Sequence, residues 1–222
     1  MKLIFKKKLK FKPIDQKFFS QISGDFNPIH LEKEYSRRSI AGDIAIHGIN
    51  LVFSSINEYL RIRKVKTHIK KIQLTFLKFV KIGQIVTLKV FKKNKKIIFE
   101  IFDENKSLSN FEVEFLNKTK KNKDYINKKF KYIRPQKPNF NNLKLNNQFF
   151  ENQEIDRHLL KKKFSYINNY LNFNQIVDLI SITRFVGMRI PGNNSILYKI
   201  NLSYEPNKIN QNKFILENFD RR

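Results

Sequence analysis

The chain has 222 residues, 41% of them hydrophobic, so it can bury a substantial core in one large domain or two small ones. It contains no cysteine, which excludes disulfides, thiolate catalysis and cysteine-ligated metals and fits a cytoplasmic location. No apolar run approaches the roughly 20 residues of a membrane-spanning helix, and the basic N-terminus lacks the unbroken apolar segment of a signal peptide.

The formal net charge of +26 raises the question of a nucleic-acid partner. The lysines are spread along the whole chain and do not form one stripe. The abundance of Asn, Ile and Phe indicates a bias towards A/T-rich codons. We therefore expect no nucleic-acid partner.

The first elements of the chain are a strand and a short helix. Residues 2–11 alternate apolar and basic side chains, which is typical of an edge strand. A short helix follows with Asp15 as its N-cap and with Phe18, Phe19 and Ile22 on one face. Ser23 and Gly24 end this helix, since glycine tolerates the left-handed conformation of a helix exit.

A cluster of chemically capable residues comes next. Asn27 as N-cap and Pro28 at the first position predict a second short helix, which places His30 in its first turn. A cation is disfavoured at that end of a helix, so we expect the imidazole to be neutral and able to accept a proton. Asp25 lies just outside the same turn, and the two groups can hold a water and exchange protons with a substrate.

A longer helix is predicted from Gly48 to about Arg61, with apolar residues at helical spacing. The N–H of a glycine at a helix N-terminus can bind a developing oxyanion. A proton-transfer pair together with an oxyanion donor suits proton chemistry next to a thioester carbonyl.

Four strand-like segments follow this helix and predict an antiparallel meander, giving an α+β fold with a helix on one sheet. They span 68–79, 84–91, 97–102 and 108–116, with hairpin turns at 93–95 and 104–106. Residues 117–147 are polar and rich in Lys and Asn, and we interpret them as a linker with a strand near Tyr132.

The second half of the chain predicts a helix from Phe173 to Met188, a strand from Ser195 to Tyr204 and another strand at 213–219. Helix, turn and strand repeat the order of the first half. The boundaries we predict are a catalytic domain at 1–118, a linker at 119–150 and a partial second repeat at 151–222.

Two motifs in the first half resemble a known family. The segments SGDFNPIH, ending at His30, and GDIAIHG, ending at Gly48, are similar to the signature of the MaoC-like hydratases and dehydratases, the (R)-specific enoyl-CoA hydratase group. The resemblance implies a hot-dog fold, in which an antiparallel sheet wraps around a central helix. The segment RFVGMRIPGNNSIL looks like the second half of tandem MaoC-like proteins, which implies a double hot-dog with an incomplete, acatalytic second repeat. The second half is then a truncation, or another subunit, such as the second copy of a homodimer, completes it.

The resemblance also assigns roles to residues. Asp25 and His30 would activate water for reversible addition to a trans-2-enoyl thioester, and Gly48 would bind the thioester oxygen. Asn27 and His47 are further binding candidates, although both could be purely structural. We expect no cofactor beyond the thioester, carried by coenzyme A or an acyl-carrier protein, and no metal, because the four histidines are scattered.

Basic side chains near the motif could attract the phosphates of coenzyme A or an acidic carrier protein. Arg37 and Arg38, which we expect on the helix that carries His30, are the nearest candidates, although a solvated helix face explains them equally well. The leading function is therefore a hydro-lyase of fatty-acid metabolism. The alternative is a non-catalytic acyl-thioester-binding protein or a subunit of a larger complex.

Overall fold

The structure is a computed structural model that describes residues 1–116, 126–137, 148–151, 154–190, 192, 196–204 and 212–215. The first half begins with strand β1 (Lys2–Lys10) and helix α1 (Pro13–Ser23). The prediction that Asp15 is the N-cap of α1 is wrong, because Pro13 takes the first helical position and Lys12 is the N-cap. Asp15 instead accepts a hydrogen bond of 2.8 Å from the Lys12 amide, as the third residue of a capping box does.

Gly24 ends α1 with φ of +74°, as predicted. The second short helix is a single 3₁₀ turn (Pro28–His30) with Asn27 as its N-cap. The helix α2 (Lys33–Arg38) follows as a separate element whose N-cap is Glu32. Arg37 and Arg38 therefore do not lie on the helix that carries His30, which corrects the prediction.

Helix α3 (Gly48–Arg63) begins at Gly48, as predicted, and lies against an antiparallel sheet. The meander strands are β2 (His68–Phe76), β3 (Ile85–Lys93), β4 (Lys96–Asp103) and β5 (Lys106–Leu116). The hairpin turns at Asn94 and Glu104 have φ of +54° and +51°, which matches their predicted positions. Strand β1 pairs with β3, so the sheet order is β1-β3-β4-β5-β2.

The core lies between α3 and the inner face of this sheet. Phe53 and Ile56 of α3 are fully buried in one hydrophobic cluster with Leu88 of β3 and Phe99 of β4. Burial of each such side chain stabilises the fold by about 1.5–3 kcal/mol. This is the hot-dog arrangement that the resemblance implied.

The second half adds several short elements and one long helix. Two of its short helices were not predicted. Its elements in order are β6 (Ile126–Asn127), β7 (Gln148–Glu151), β8 (Glu154–Ile155), α4 (Arg157–Lys163), α5 (Ser165–Tyr170), α6 (Phe173–Met188), β9 (Lys199–Ser203) and β10 (Asn212–Ile215). Helix α6 has the predicted bounds, and β9 is shorter than the predicted strand. Helices α4 and α5 escaped prediction because they have only seven and six residues, too few for a clear helical period.

The order of the second half repeats that of the first. Strand β9 follows α6 as β2 follows α3, and β9 pairs with β2 to extend the sheet to six strands. Strand β10 pairs with β7 as β3 pairs with β1. Within the described residues β9 is an edge strand.

Several predictions concern segments that are only partly described. Residues 128–137 contain no strand, so the strand predicted near Tyr132 is wrong. The strand predicted at 213–219 is described up to Ile215, and residues 216–219 lie outside the described residues. The domain boundaries at 118 and 150 remain predictions. In the part of the chain that the structure describes, none of the helices combines the length and the hydropathy that a membrane-spanning helix requires.

Candidate active site

The site begins at the loop of residues 24–30, which we call the motif loop. The Asp25 amide donates to the Ser23 hydroxyl at 3.1 Å, and the Asn27 amide donates to Oδ1 of Asp25 at 3.1 Å. These two local bonds turn the chain immediately after Gly24. The Asp25 side chain is directed inward as a result and is only 1% exposed.

Asn27 holds the loop from both sides. Its Oδ1 accepts a bond of 3.2 Å from the Ile29 amide, which starts the 3₁₀ turn. Its Nδ2 donates to the carbonyl oxygens of Gly187 and Gly192 in the second half, at 3.2 and 3.3 Å. Asn27 is 1% exposed and also lines the cavity described below.

His30 is fixed by one ring nitrogen. Its Nδ1 lies 2.9 Å from the carbonyl oxygen of Ala45, and because a carbonyl oxygen only accepts, Nδ1 carries the hydrogen. Nε2 is therefore the nitrogen with the lone pair in the neutral ring. Burial lowers the pKa of His30, which opposes the charged form and keeps the imidazole neutral near pH 7, although the carboxylate of Asp25 acts the other way.

The carboxyl group of Asp25 and the imidazole of His30 converge. One oxygen of Asp25 and one nitrogen each of His30 and His47 all lie within 4.8 Å of one another. A water that donates its two hydrogens to two acceptors holds those acceptors about 4.6 Å apart. Asp25 and His30 are therefore close enough to share one water.

Burial is the largest influence on the pKa of the Asp25 carboxyl. Burial raises its pKa above the usual value, and this effect outweighs the opposing influence of His30, the Thr183 hydroxyl, the Asn27 amide and the Arg184 guanidinium. Burial thus acts on the two groups in opposite directions: it raises the pKa of Asp25 and lowers the pKa of His30. In both groups it favours the uncharged form.

His47 lies beneath His30 and is fully buried. The two rings stack with centroids 3.8 Å apart and planes at 29°. Nε2 of His47 donates to the Asp25 carbonyl oxygen at 3.2 Å, and Nδ1 accepts from the Gln16 amide at 3.1 Å. Burial holds its pKa well below the usual value, so it is neutral and its 3.9 Å approach to the Asp25 carboxylate is not an ion pair.

Gly48 combines a close contact with Phe76 and a backbone N–H at the start of α3. As the first residue of α3 it has no acceptor within its own helix. A Cβ on this residue would lie 2.8 Å from the ring of Phe76, so the close approach needs glycine. Gly48 lines the same cavity as Asp25 and His30.

The cavity has a volume of about 240 Å³ and lies between the two halves of the chain. Its first-half walls include Ile29, Ile46, Leu51 and Phe76, and its second-half walls include Thr183, Val186, Gly187 and Leu197. The walls are mostly apolar, and Asp25, His30 and Gly48 lie together along them. An apolar chain with one polar, reactive end fits this distribution.

The family match decides which proteins this chain is related to. The family described as MaoC like domain matches residues 1–113, just over half of the chain. The chain belongs to the MaoC-like family. Its motif loop and Gly48 lie inside the matched region, which supports a hydratase or dehydratase role. No curated protein shows a significant match.

Solved structures show how far the MaoC-like fold extends. A MaoC-like dehydratase superposes with a TM-score of 0.59 at 7% identity, covering 90% of this chain and 81% of that chain. The R-hydratase PhaJ1 from Pseudomonas aeruginosa has a TM-score of 0.42 and 21% identity, covering 51% of this chain and 78% of its own. The (R)-hydratase from A. caviae involved in PHA biosynthesis has a TM-score of 0.41 and 21% identity, covering 51% of this chain and 94% of its own. The superposition on the MaoC-like dehydratase covers most of this chain, so the shared fold extends into the second half.

The sequence did not predict that two further residues belong to this MaoC-like site. Thr183 of α6 donates from its hydroxyl to Oδ2 of Asp25 at 2.7 Å. Gly187, one turn further along, packs so closely that a Cβ would overlap the carboxyl group of Asp25. The segment that resembles tandem MaoC-like proteins contains Gly187, but no sequence signal indicated that α6 meets Asp25.

The two arginines named from the sequence lie away from the cavity. Arg37 and Arg38 are exposed at the end of α2, and neither lines the cavity. Arg37 lies 3.9 Å from Glu34, an exposed contact of small energetic value. His47 also does not line the cavity, so its contacts are those of a residue that positions Asp25 and His30.

Asp25, His30 and His47 are the one group of metal-ligand type that we find among the described residues. The fit to a metal is poor, because both ring nitrogens of His47 already have partners and its ring stacks on that of His30. Ligands of one ion must instead direct lone pairs at a common point. The absence of a metal remains a prediction.

Proposed function

We propose that this MaoC-like protein is a hydro-lyase that reversibly hydrates a trans-2-enoyl thioester to the (R)-3-hydroxyacyl thioester. The observation that carries the proposal is that Asp25 and His30 lie close enough to share one water and line, together with Gly48, one mostly apolar cavity. The membership of the family supports the general reaction, and the substrate and stereochemistry are part of the proposal.

In the forward direction the water held by Asp25 and His30 loses a proton to this pair, and its oxygen attacks C3 of the enoyl group. The electrons of the double bond move towards the thioester oxygen, and C2 takes a proton back from the pair. One water is consumed, and the pair ends with the proton count with which it began. A positioned proton-transfer group contributes about 10²–10⁴-fold to the rate of such a reaction.

Gly48 would stabilise the negative charge that develops on the thioester oxygen. Its N–H lies at the N-terminus of α3, where the helix dipole also favours negative charge. The need for a close approach explains the glycine, because any Cβ there meets Phe76. The reaction needs no group beyond these residues and the carrier thioester.

The direct test is turnover of trans-2-butenoyl-CoA by the purified protein, followed by loss of the conjugated enoyl absorbance. We expect saturable hydration and a product of (R) configuration. Chiral chromatography after hydrolysis of the thioester determines this configuration. A product of (S) configuration would contradict the stereochemical assignment. Absence of turnover with all carrier forms would contradict the reaction itself.

One observation favours a second candidate, a non-catalytic acyl-thioester binder. Both oxygens of the buried Asp25 carboxyl already accept hydrogen bonds, from Asn27 and Thr183, as a structural carboxylate would. Each oxygen retains a second lone pair for water, so these bonds do not prevent catalysis. Tight binding of a saturated acyl-CoA without turnover of the enoyl form would favour the binder. Cytoplasmic location, a place in fatty-acid metabolism and a homodimer remain predictions.

A further inference from the structure

The mouth of the cavity is surrounded by exposed apolar side chains. We call Ile40, Leu77, Lys78, Ile196 and Tyr198 the rim, since they line the cavity and reach the surface. Ile40 is 78% exposed, Tyr198 60%, Ile196 45% and Leu77 44%. Single exposed apolar residues need no explanation, but several around one opening indicate an interaction surface.

The rim is held in place by the main chain. The Phe76 amide donates to the Tyr198 carbonyl at 2.8 Å, and the Leu77 and Lys78 amides donate to the Leu108 carbonyl at 2.9 and 3.0 Å. The rim therefore joins the two halves of the chain through backbone contacts. These bonds fix the backbone of the rim at Leu77, Lys78 and Tyr198.

Cations lie beside these apolar residues. Lys78 belongs to the rim, and the exposed Lys199 follows Tyr198 directly. Lys81 points towards the loop after Ile40, where its Nζ would lie 3.8 Å from a Cβ placed on Gly42. The surface around the mouth is thus basic as well as apolar.

We propose that the rim docks an acidic carrier protein, which presents the enoyl group on a phosphopantetheine arm that enters the cavity. This inference rests on the proposed function, because the arm must carry a thioester to Asp25 and His30. The nucleotide part of coenzyme A would use the cations but is polar and would leave the apolar rim in water. A protein surface with acidic and apolar side chains matches both features.

The test compares the trans-2-butenoyl group on three carriers: an acidic acyl-carrier protein, coenzyme A and pantetheine. We expect kcat/KM to be at least about tenfold higher with the carrier protein than with coenzyme A, and to fall as salt is added. Equal or better turnover of the coenzyme A form would overturn the docking surface and leave the hydro-lyase intact.

Charge-reversal variants locate the surface. The pair Lys81→Glu and Lys199→Glu changes the charge beside the rim. The matched control pair Lys93→Glu and Lys95→Glu changes it by the same amount at the β3–β4 hairpin, about 27 Å from the start of β3 near Lys81. We expect the first pair to lower kcat/KM for the carrier-protein substrate about tenfold or more, and the control pair to have less than a twofold effect. Equal effects of both pairs would contradict a specific surface.

Ile40→Ser tests the apolar part of the rim. We expect its loss of kcat/KM to be several times larger with the carrier-protein substrate than with butenoyl-pantetheine. If no carrier form is turned over, the hydro-lyase fails, and binding of the carrier protein without its arm becomes the readout. Binding that Lys81→Glu with Lys199→Glu weakens would keep the docking surface, and absence of binding would overturn it.

Discussion

The hydroxyl of Thr183 donates a hydrogen bond of 2.7 Å to Oδ2 of Asp25, across 158 residues of sequence. The motif loop comes from the first half of the chain and this bond from α6 in the second. Gly187 makes the contact possible, since any larger residue would overlap the carboxyl group. The second half is therefore part of the site, although it lacks the motif itself.

Replacement of Thr183 by valine should move the pH dependence of the reaction. The hydroxyl favours the charged carboxylate, so its loss raises the pKa of Asp25 further. The limb of the kcat/KM profile that reports Asp25 should therefore shift to higher pH. A hydrogen bond to a charged group contributes about 1.5–3 kcal/mol, which corresponds to a shift of about one to two pH units in this limb.

Thr183→Ser is the matched control, because serine keeps the hydroxyl and removes only a methyl group. Its pH profile should coincide with that of the natural protein. If Thr183→Val lowers thermal stability but leaves the profile unmoved, Thr183 has a structural role only.

Gly187→Ala should inactivate the protein by displacing Asp25. The new Cβ overlaps the carboxyl group, which must move or force α6 away, at a cost of about 1–3 kcal/mol in the free energy of unfolding. We expect kcat to fall by about a hundredfold or more in a protein that still unfolds cooperatively.

Gly83→Ala is the control for that substitution. Gly83 has φ of +79° but no atom within 4 Å of an added Cβ, so alanine there strains the backbone without touching the site. It should lower the melting temperature with little change in kcat. Similar losses of kcat in both variants would show that reduced stability, and not the position of Asp25, limits activity.

Much of the site could be predicted from the sequence because its signals are local. Gly24 in its left-handed conformation, Asn27 as N-cap and Gly48 at the start of α3 all follow from rules that act over a few residues. The same rules failed at Asp15, where Pro13 moved the start of the helix upstream of the expected cap.

The contacts between the halves could not be predicted, because they depend on how α6 packs. A threonine inside a buried helix, such as Thr183, has the same sequence pattern whether it contacts a carboxylate or an apolar neighbour. The role of His47 was likewise open. Its partners Gln16 and the Asp25 carbonyl come from segments 31 and 22 residues away, and only the fold brings them together.

His47 should make stability depend on pH below neutrality. Burial depresses its pKa in the folded state, whereas the unfolded chain takes up a proton near the ordinary value of about 6.5. The unfolded state therefore binds more protons as the pH falls below about 6.5, and stability falls by up to about 1.4 kcal/mol per pH unit. Above that pH the contribution of His47 is fully present.

Urea unfolding at pH 7, 6 and 5 measures this dependence in the natural protein and in His47→Gln. Asp25 and His30 titrate in both proteins. The difference between the two slopes of unfolding free energy against pH therefore reports His47. We expect the variant to be less stable at pH 7 and to lose less stability on acidification. Parallel slopes would show that His47 does not remain neutral in the folded state.

Removal of metal ions should leave the activity unchanged. The nitrogens of His47 are occupied by Gln16 and by the Asp25 carbonyl, which leaves no preformed set of three ligands. Dialysis against EDTA should therefore alter kcat by less than twofold. A loss of activity that zinc or iron restores would show that Asp25, His30 and His47 bind a metal.

Hydration of trans-2-butenoyl thioester by Asp25→Asn, compared with the natural protein, tests the central claim most directly. Asparagine keeps the size of the side chain but cannot exchange a proton, so kcat should fall by about 10²–10⁴-fold while the melting temperature changes little. Turnover of the variant within a few-fold of the natural protein would contradict the assignment of Asp25 and His30 as the proton-transfer pair.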